Sequence, residues 1–365
     1  MNIGINTRLL LKDKTEGIGR FIEESVKELV LLRPHDTFYF FFDRPFSPEF
    51  IFEKNVIPIV VSPPARHPIL WSLWFDVMIP LYCKKHKIDV FFSPEMYVSL
   101  TMKIPQISVV HDINFVHNPE LVPGWQGNYI RKRVGRYIQK SEKVFTVSQF
   151  CASDISKTLG VYPSKIDVCY NGVNHTFGKK NDKSPVNYPF FLVFGAINPR
   201  KNIVNILKAF DVYKSQSKTL DRLIFIGEKM LWNSEMENTL QHMEHQSDVV
   251  FLGRKSDEEV CLYFNHAQAL LYTSLFEGFG LPIIEAQKSG CPVITSNVSC
   301  MPEIAGNGAL FVTPVNVFEI VEAMKTVQHK TQRDDLIAKG FTNASRFNWK
   351  EVALKINKEI ETILC

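Results

Sequence analysis

Glu277 and Glu285 bracket a glycine-bearing run, Glu277-Gly-Phe-Gly-Leu-Pro-Ile-Ile-Glu285, that follows an apolar stretch ending near Ser274. Gly278 and Gly280 free the backbone for a tight turn, and Pro282 suits a helix start, where its missing amide has no partner to lose. The amides of Phe279, Gly280 and Leu281 would then face whatever lies ahead of the helix, which is an anion site favoured by the helix dipole. Two carboxylates would repel a diphosphate, so they should face hydroxyls. Glu285 is expected on the first helical turn, within reach of a diol such as ribose, and Glu277 at the other end of the loop. The alternative is structural: Glu285 complements the dipole and Glu277 caps the loop.

A second constellation favours the chemical reading. After the apolar stretch Phe190 to Gly195 comes Ala-Ile-Asn-Pro-Arg200-Lys201-Asn202, then a helical run through Ile203, Ile206, Leu207 and Phe210. Adjacent cations at the mouth of such a loop can neutralise a diphosphate, Arg with a planar fork and Lys as a compact charge. Surface Arg-Lys pairs are common, and only the nearby glycine-rich helix start gives this one weight.

The elements that must position these residues alternate throughout the chain, short β-branched or aromatic runs with longer segments of helical period. Strands are expected at 2–7, 38–42, 57–62, 89–93, 107–111 and 144–148, with helices at 19–32, 71–85 and 149–159 among them. A polar, punctuated stretch from Asn174 to Pro189 suits an exposed linker. Strands resume at 190–195, 223–227, 249–253, 269–274 and 292–296, and a final helix spans 349–364. The pattern predicts an α/β protein of two doubly wound, Rossmann-like domains, with ligands beyond the carboxyl ends of the strands. The first domain is expected at 1–178 and the second at 179–347, with the helix of about 348–365 returning to the first.

The chain has 365 residues, 45% hydrophobic and 22% charged, with a net charge of +4. That excess is too small and too dispersed for a nucleic-acid partner. It lies wholly in residues 1–178, which hold 21 Lys plus Arg against 17 Asp plus Glu. Part of it is the cluster Arg131, Lys132, Arg133, Arg136 and Lys140 on one expected helix, either a solvated face or an anchor for anionic head groups. The seven cysteines lack metal-binding spacing and read as reduced thiols. No apolar run approaches the ~20 residues that span a bilayer, and the amino terminus reads as a strand. A cytoplasmic protein, soluble or peripheral on the inner membrane face, is the expectation.

Pro-Arg200-Lys201-Asn and the spacing of Glu277 and Glu285 resemble the donor site of retaining glycosyltransferases of the GT-B fold, family 4, and the resemblance covers essentially the whole chain. It implies two domains facing each other across a cleft. It implies that Arg200 and Lys201 bind the pyrophosphate of a nucleotide-diphosphate sugar, that Glu277 touches donor-sugar hydroxyls, and that Glu285 binds the ribose. Many members carry an Arg directly after the glycine of the first strand in this domain; here Ala196 stands there, and Arg200 is the candidate replacement. Thr15-Glu-Gly17-Ile-Gly19-Arg20 resembles the family's phosphate-approaching loop, though a plain tight turn fits it too. His111 resembles the family's His that faces the donor sugar, against the alternative of a buried structural His. Ser148 and Asn171-Gly172-Val173-Asn174 have family counterparts as well, with an N-cap and a structural turn as the plain alternatives.

Sugar transfer must stabilise the departing diphosphate. The sequence holds no Asp-x-Asp metal motif, so Arg200, Lys201 and the helix amides are expected to do this without a metal or other cofactor. The resemblance implies retention of anomeric configuration. Trp-Phe-Asp-Val-Met-Ile-Pro at 74–80, Val-Phe-Phe-Ser-Pro at 90–94 and Val-Val-His-Asp at 109–112 resemble mannosyltransferases of bacterial surface-polysaccharide assembly, which implies GDP-mannose as donor, with a UDP-sugar the next choice, and a glycan or lipid-linked glycan as acceptor. The rivals are a nucleotide-sugar 2-epimerase and a non-catalytic sugar-nucleotide-binding subunit. A dinucleotide dehydrogenase would need a third glycine after Gly17-Ile-Gly19.

Overall fold

The computed structural model describes residues 1–12, 17–65, 67–122 and 124–364, with the backbone alone at Leu121. The chain divides into two compact units, residues 1–172 with 348–365, and residues 173–347.

Unit 1 is built on seven strands: β1 (Asn2–Asn6), β2 (Thr37–Phe42), β3 (Val56–Val60), β4 (Val90–Ser93), β5 (Gln106–Val109), β6 (Lys143–Thr146) and β7 (Ile166–Val168), in the order β3-β2-β1-β4-β5-β6-β7. Every pairing is parallel. A parallel sheet must be covered on both faces, and its strands accordingly read as unbroken apolar runs: all of Val90–Ser93 is buried. The strand order reverses between β1 and β4, which opens a crevice at their carboxyl ends.

Unit 2 carries β8 (Phe190–Phe194), β9 (Arg222–Ile226), β10 (Val249–Phe251), β11 (Leu270–Tyr272), β12 (Val293–Ser296) and β13 (Ala309–Val312), in the order β10-β9-β8-β11-β12-β13. These pairings are parallel too, with the reversal between β8 and β11. Two doubly wound α/β units are what the alternation of runs predicts.

Three local features differ from expectation. β7 and β13 were not expected: β7 has only three residues, one of them the exposed Asp167, and β13 is a four-residue apolar run, Ala309–Val312, at the edge of its sheet with Phe311 40% exposed. The helix expected at 71–85 begins earlier, as Pro68–Leu73, widens into a π-helical stretch at Trp74–Met78 and continues as Ile79–Lys85. The polar stretch after Asn174 is docked on unit 2: Asn265 accepts from Lys180 N at 2.7 Å and donates to Gly178 O at 2.9 Å.

The helix Trp349–Leu364 packs on the helix Ile18–Leu32 of unit 1. Trp349 meets Phe21 edge-on at 5.9 Å, and Arg33 Nη1 donates to Asn357 Oδ1 at 2.6 Å. Gly172 passes so close that a Cβ there would lie 2.3 Å from Trp349 N. Trp349, Val352, Ala353, Ile356 and Ile360 form the buried stripe of this helix.

Candidate active site

The carboxyl edge of unit 2 brings Arg200, Lys201 and Glu277 into contact. β8 is followed by Gly195 at φ +112°, and the loop returns through a 3-10 turn, Pro199–Lys201, to Asn202 at φ +62°. Gly227, after β9, comes so near that a Cβ on it would stand 2.0 Å from Gly195 O. Only a bare backbone fits, and this contact fixes the path of the loop toward Arg200 and Lys201.

Arg200 Nη1 donates to Phe276 O at 2.7 Å and lies 2.5 Å from Glu277 Oε2. Lys201 Nζ donates to Glu277 Oε1 and to the Tyr272 hydroxyl, each at 2.7 Å, and sits 4.2 Å from the centre of the Tyr272 ring. Side-chain exposure is 27% for Arg200, 11% for Lys201 and 8% for Glu277. Burial alone would raise the Glu277 carboxyl, but the Lys201 and Arg200 charges outweigh it and hold that group down at about 2. Burial draws Lys201 below its ordinary value, with Glu277 opposing, and pushes the Tyr272 phenol well up, with Glu277 adding to the rise. The ammonium has three donors, and Glu277 and Tyr272 take two of them.

The loop after Glu277 is clamped from the turn beyond β12. Cys300 Sγ donates to Glu277 O and Phe279 O, both at 3.1 Å, and Ser299 Oγ accepts from Glu277 N at 3.2 Å. Gly280, at φ +95° and ψ +54°, begins the helix Leu281–Lys288 with no side-chain cap. Among the described residues the amides of Phe279, Gly280 and Leu281 find no acceptor. One expectation is corrected. The first turn holds no acidic residue; Glu285 is the fifth residue of the helix, in its second turn, and only 5% exposed. The helix starts at Leu281, immediately after the glycine, and this moves Glu285 one turn further along it than expected.

Unit 1 brings the other candidates to its own switch point. Gly17, at φ +46°, opens the helix Ile18–Leu32; among the described residues other than its chain neighbours no atom lies within 4 Å of where a Cβ would stand, and Gly19 is buried in the first turn. Thr15 and Glu16 lie outside the described residues. His111 follows β5, half-buried; its Nε2 donates to Pro94 O at 3.0 Å, and its ring meets Phe21 edge-on at 5.0 Å. Burial pulls its pKa below the usual value, against the Pro94 carbonyl and the nearby Asp112 and Glu95, so the ring is neutral. A carbonyl only accepts, which makes Nε2 the protonated nitrogen and Nδ1 the acceptor.

Ser148 N-caps the helix Gln149–Leu159, accepting from Cys151 N at 3.1 Å. In the basic helix Gly124–Lys140, Arg131 turns inward to Phe115 O and Val122 O and Arg133 stacks on Tyr129, while Lys132 and Arg136 remain exposed. Among the described residues no group of three His, Cys, Asp or Glu side chains could hold a metal ion, and no helix is long and apolar enough to cross a membrane. Sequence reasoning missed Tyr272, Ser299 and Cys300; their only signal was their place at the ends of β11 and β12.

Two family models match in tandem: Glycosyltransferase Family 4 over residues 15–177 and Glycosyl transferases group 1 over residues 176–342. The chain is 32% identical to O-antigen chain mannosyltransferase RfbU of Salmonella typhimurium over 80% of each chain. It is 24% identical to O-antigen chain mannosyltransferase B of Escherichia coli over 93% of this chain and 94% of that one. Among solved structures, sucrose-phosphate synthase from Thermosynechococcus elongatus superposes with a TM-score of 0.79 at 16% identity, covering 99% of this chain and 98% of that one.

Proposed function

The chain belongs to glycosyltransferase family 4, the group 1 glycosyl transferases, and on that premise we propose that it moves mannose from GDP-mannose to a glycan or lipid-linked glycan acceptor in surface-polysaccharide synthesis. Transfer is by retention and needs no metal ion. The choice of mannose is supported by the O-antigen mannosyltransferase relatives.

One observation carries the reading of the site: Arg200 and Lys201 stand over a loop whose three consecutive amides, at Phe279, Gly280 and Leu281, have no acceptor among the described residues. A diphosphate offers acceptors for these amides and for the third Lys201 donor. Its charge would meet fixed donors that need no reorganisation as the bond to the sugar breaks, which is where electrostatic stabilisation is most effective. Glu277, already satisfied by both cations, keeps carboxylate lone pairs for donor-sugar hydroxyls. Glu285 is assigned to the ribose, and Gly278 to the turn. His111 is the catalytic candidate from unit 1, and Gly17 and Gly19 belong to its phosphate-approaching turn. In a retaining transfer the acceptor hydroxyl attacks on the leaving-group face, and a departing phosphate oxygen takes its proton. Lys132 and Arg136 supply a peripheral contact with anionic membrane lipid.

The test is calorimetry with GDP-mannose, UDP-glucose and their diphosphates, with and without EDTA, followed by product analysis. Tight GDP-mannose binding that survives chelation, with an α-linked product, is the expected result. Preference for the UDP-sugar, or activity lost to EDTA and restored by a divalent ion, overturns the donor assignment or the metal-free mechanism respectively.

A further inference from the structure

At the switch point of unit 1, three strand ends converge: Asn6 closes β1, Ser93 closes β4, and His111 follows β5. Two residues beyond β1, the Arg8 guanidinium grips Glu95 with both prongs, Nε donating to Oε1 at 2.5 Å and Nη2 to Oε2 at 2.6 Å. Asn6 Nδ2 donates to the same Oε1 at 2.6 Å and to Ser93 Oγ at 3.1 Å. The rings of Tyr97, Phe75 and Trp71 surround the guanidinium at 5.1, 5.9 and 6.0 Å. Arg8 is 8% exposed and Glu95 3%.

Such a pair does little for stability, because desolvating two ions offsets their attraction, and apolar replacements of similar volume are often neutral or better. Geometry is what it supplies. Glu95 follows Pro94 directly, and the Pro94 carbonyl is the acceptor of His111 Nε2 at 3.0 Å. Holding the Glu95 carboxylate with Arg8 and Asn6 fixes where that carbonyl points. The carbonyl in turn accepts only from a protonated Nε2, so the ring presents Nδ1 as its lone pair.

We propose that Arg8 is a positioning residue for the transfer reaction: through Glu95 and the Pro94 carbonyl it sets the tautomer and ring orientation of His111. This rests on the reading of His111 as a catalytic group. Phe21, edge-on to the imidazole, braces the ring from the helix side, so the Pro94 contact decides its remaining freedom.

The double variant Arg8→Met/Glu95→Leu removes both charges and leaves neither orphaned. The expected result is a folded protein with wild-type GDP-mannose KM and a kcat lower by roughly 100-fold, the scale of a small misplacement in an active site. Nitrogen NMR of His111 should change from a single Nε2–H pattern to a mixture of tautomers. Arg8→Lys, which keeps the charge and loses the fork, should fall in between, and serves alone if the double variant does not fold. Wild-type kcat in either folded variant, or an unchanged Nε2–H pattern, overturns the proposal. His111→Asn separates the two readings. Full activity there removes the catalytic role of His111 and this inference with it, whereas a defect there beside a fully active double variant removes Arg8's part alone.

Discussion

Glu277 Oε1 accepts from Lys201 Nζ at 2.7 Å in a setting where the two side chains are only 8% and 11% exposed. A pair this far out of water is tied to its surroundings, and Arg200 at 2.5 Å from the other carboxylate oxygen makes it a three-member cluster of net charge +1. A diphosphate bound as proposed would meet this cluster of two cations and one carboxylate.

Glu277→Gln should therefore separate binding from transfer. Removing the internal anion leaves more of Lys201 and Arg200 for phosphate, so GDP affinity by calorimetry should hold or rise. Transfer should fall on the order of 100-fold or more, the cost of one preorganised electrostatic contact in a transition state. Wild-type turnover in a folded Glu277→Gln protein removes the residue's assigned role.

Lys201→Ala should weaken diphosphate binding specifically. The loss expected is roughly 1.5–3 kcal/mol, the range for a hydrogen bond to a charged group. GDP should suffer more than GMP in the same titration. Equal losses for both nucleotides would place the contact elsewhere.

The acid side of stability should carry the signature of Glu277. Its carboxyl sits near 4.5 in the unfolded chain and about 2 in the folded one, so the folded state binds the proton less. Its contribution is fully present above the unfolded value, declines as pH falls below it, and is gone once pH passes the folded value. Urea unfolding of wild type and Glu277→Gln should thus show a constant difference from pH 7 down to about pH 5 and a shrinking one below. A difference already collapsing near neutrality contradicts the pairing.

His111 adds a second, milder dependence. Its folded pKa is depressed, so below about 6.5 the unfolded chain takes up a proton that the folded chain refuses, and stability falls as pH drops. His111→Asn should lose less stability than wild type between pH 7 and pH 5, measured by thermal melts. Parallel curves for the two proteins count against a buried neutral ring.

Gly172→Ala tests architecture apart from chemistry. The added methyl would stand 2.3 Å from Trp349 N, an overpacking that typically costs ~1–3 kcal/mol. The melting temperature should fall while GDP affinity at the proposed Arg200–Lys201 site stays as it was.

The sequence made the two-unit parallel fold legible because strands buried on both faces write continuous runs, such as Phe38 to Phe42. It did not show β7, where Asp167 interrupts a run of only three residues, or β13, a four-residue apolar run too short to tell from a buried loop or helix segment. Arg200, Lys201 and Glu277 were readable as a site because glycines and charges cluster at loop mouths. The ion pairs joining them were not, since they link residues 76 or more apart. The same holds for Arg8 and Glu95, separated by 87 positions. Glu285 was assigned to the wrong turn because only backbone geometry tells which residue starts a helix after a left-handed glycine.

The helix Trp349–Leu364 belongs to unit 1 yet is encoded after all of unit 2. As the chain leaves the ribosome, the face of the helix Ile18–Leu32 that holds Phe21 stays uncovered until residues 349–364 emerge, although the seven strands of that unit are already out, whereas residues 173–347 are an uninterrupted stretch that holds the whole of unit 2. The unit whose synthesis starts earlier is thus the later one to close. A nonsense change near position 348 would leave the carboxy-terminal unit able to fold and expose sticky surface on the amino-terminal one, making that one the client of chaperones and proteases.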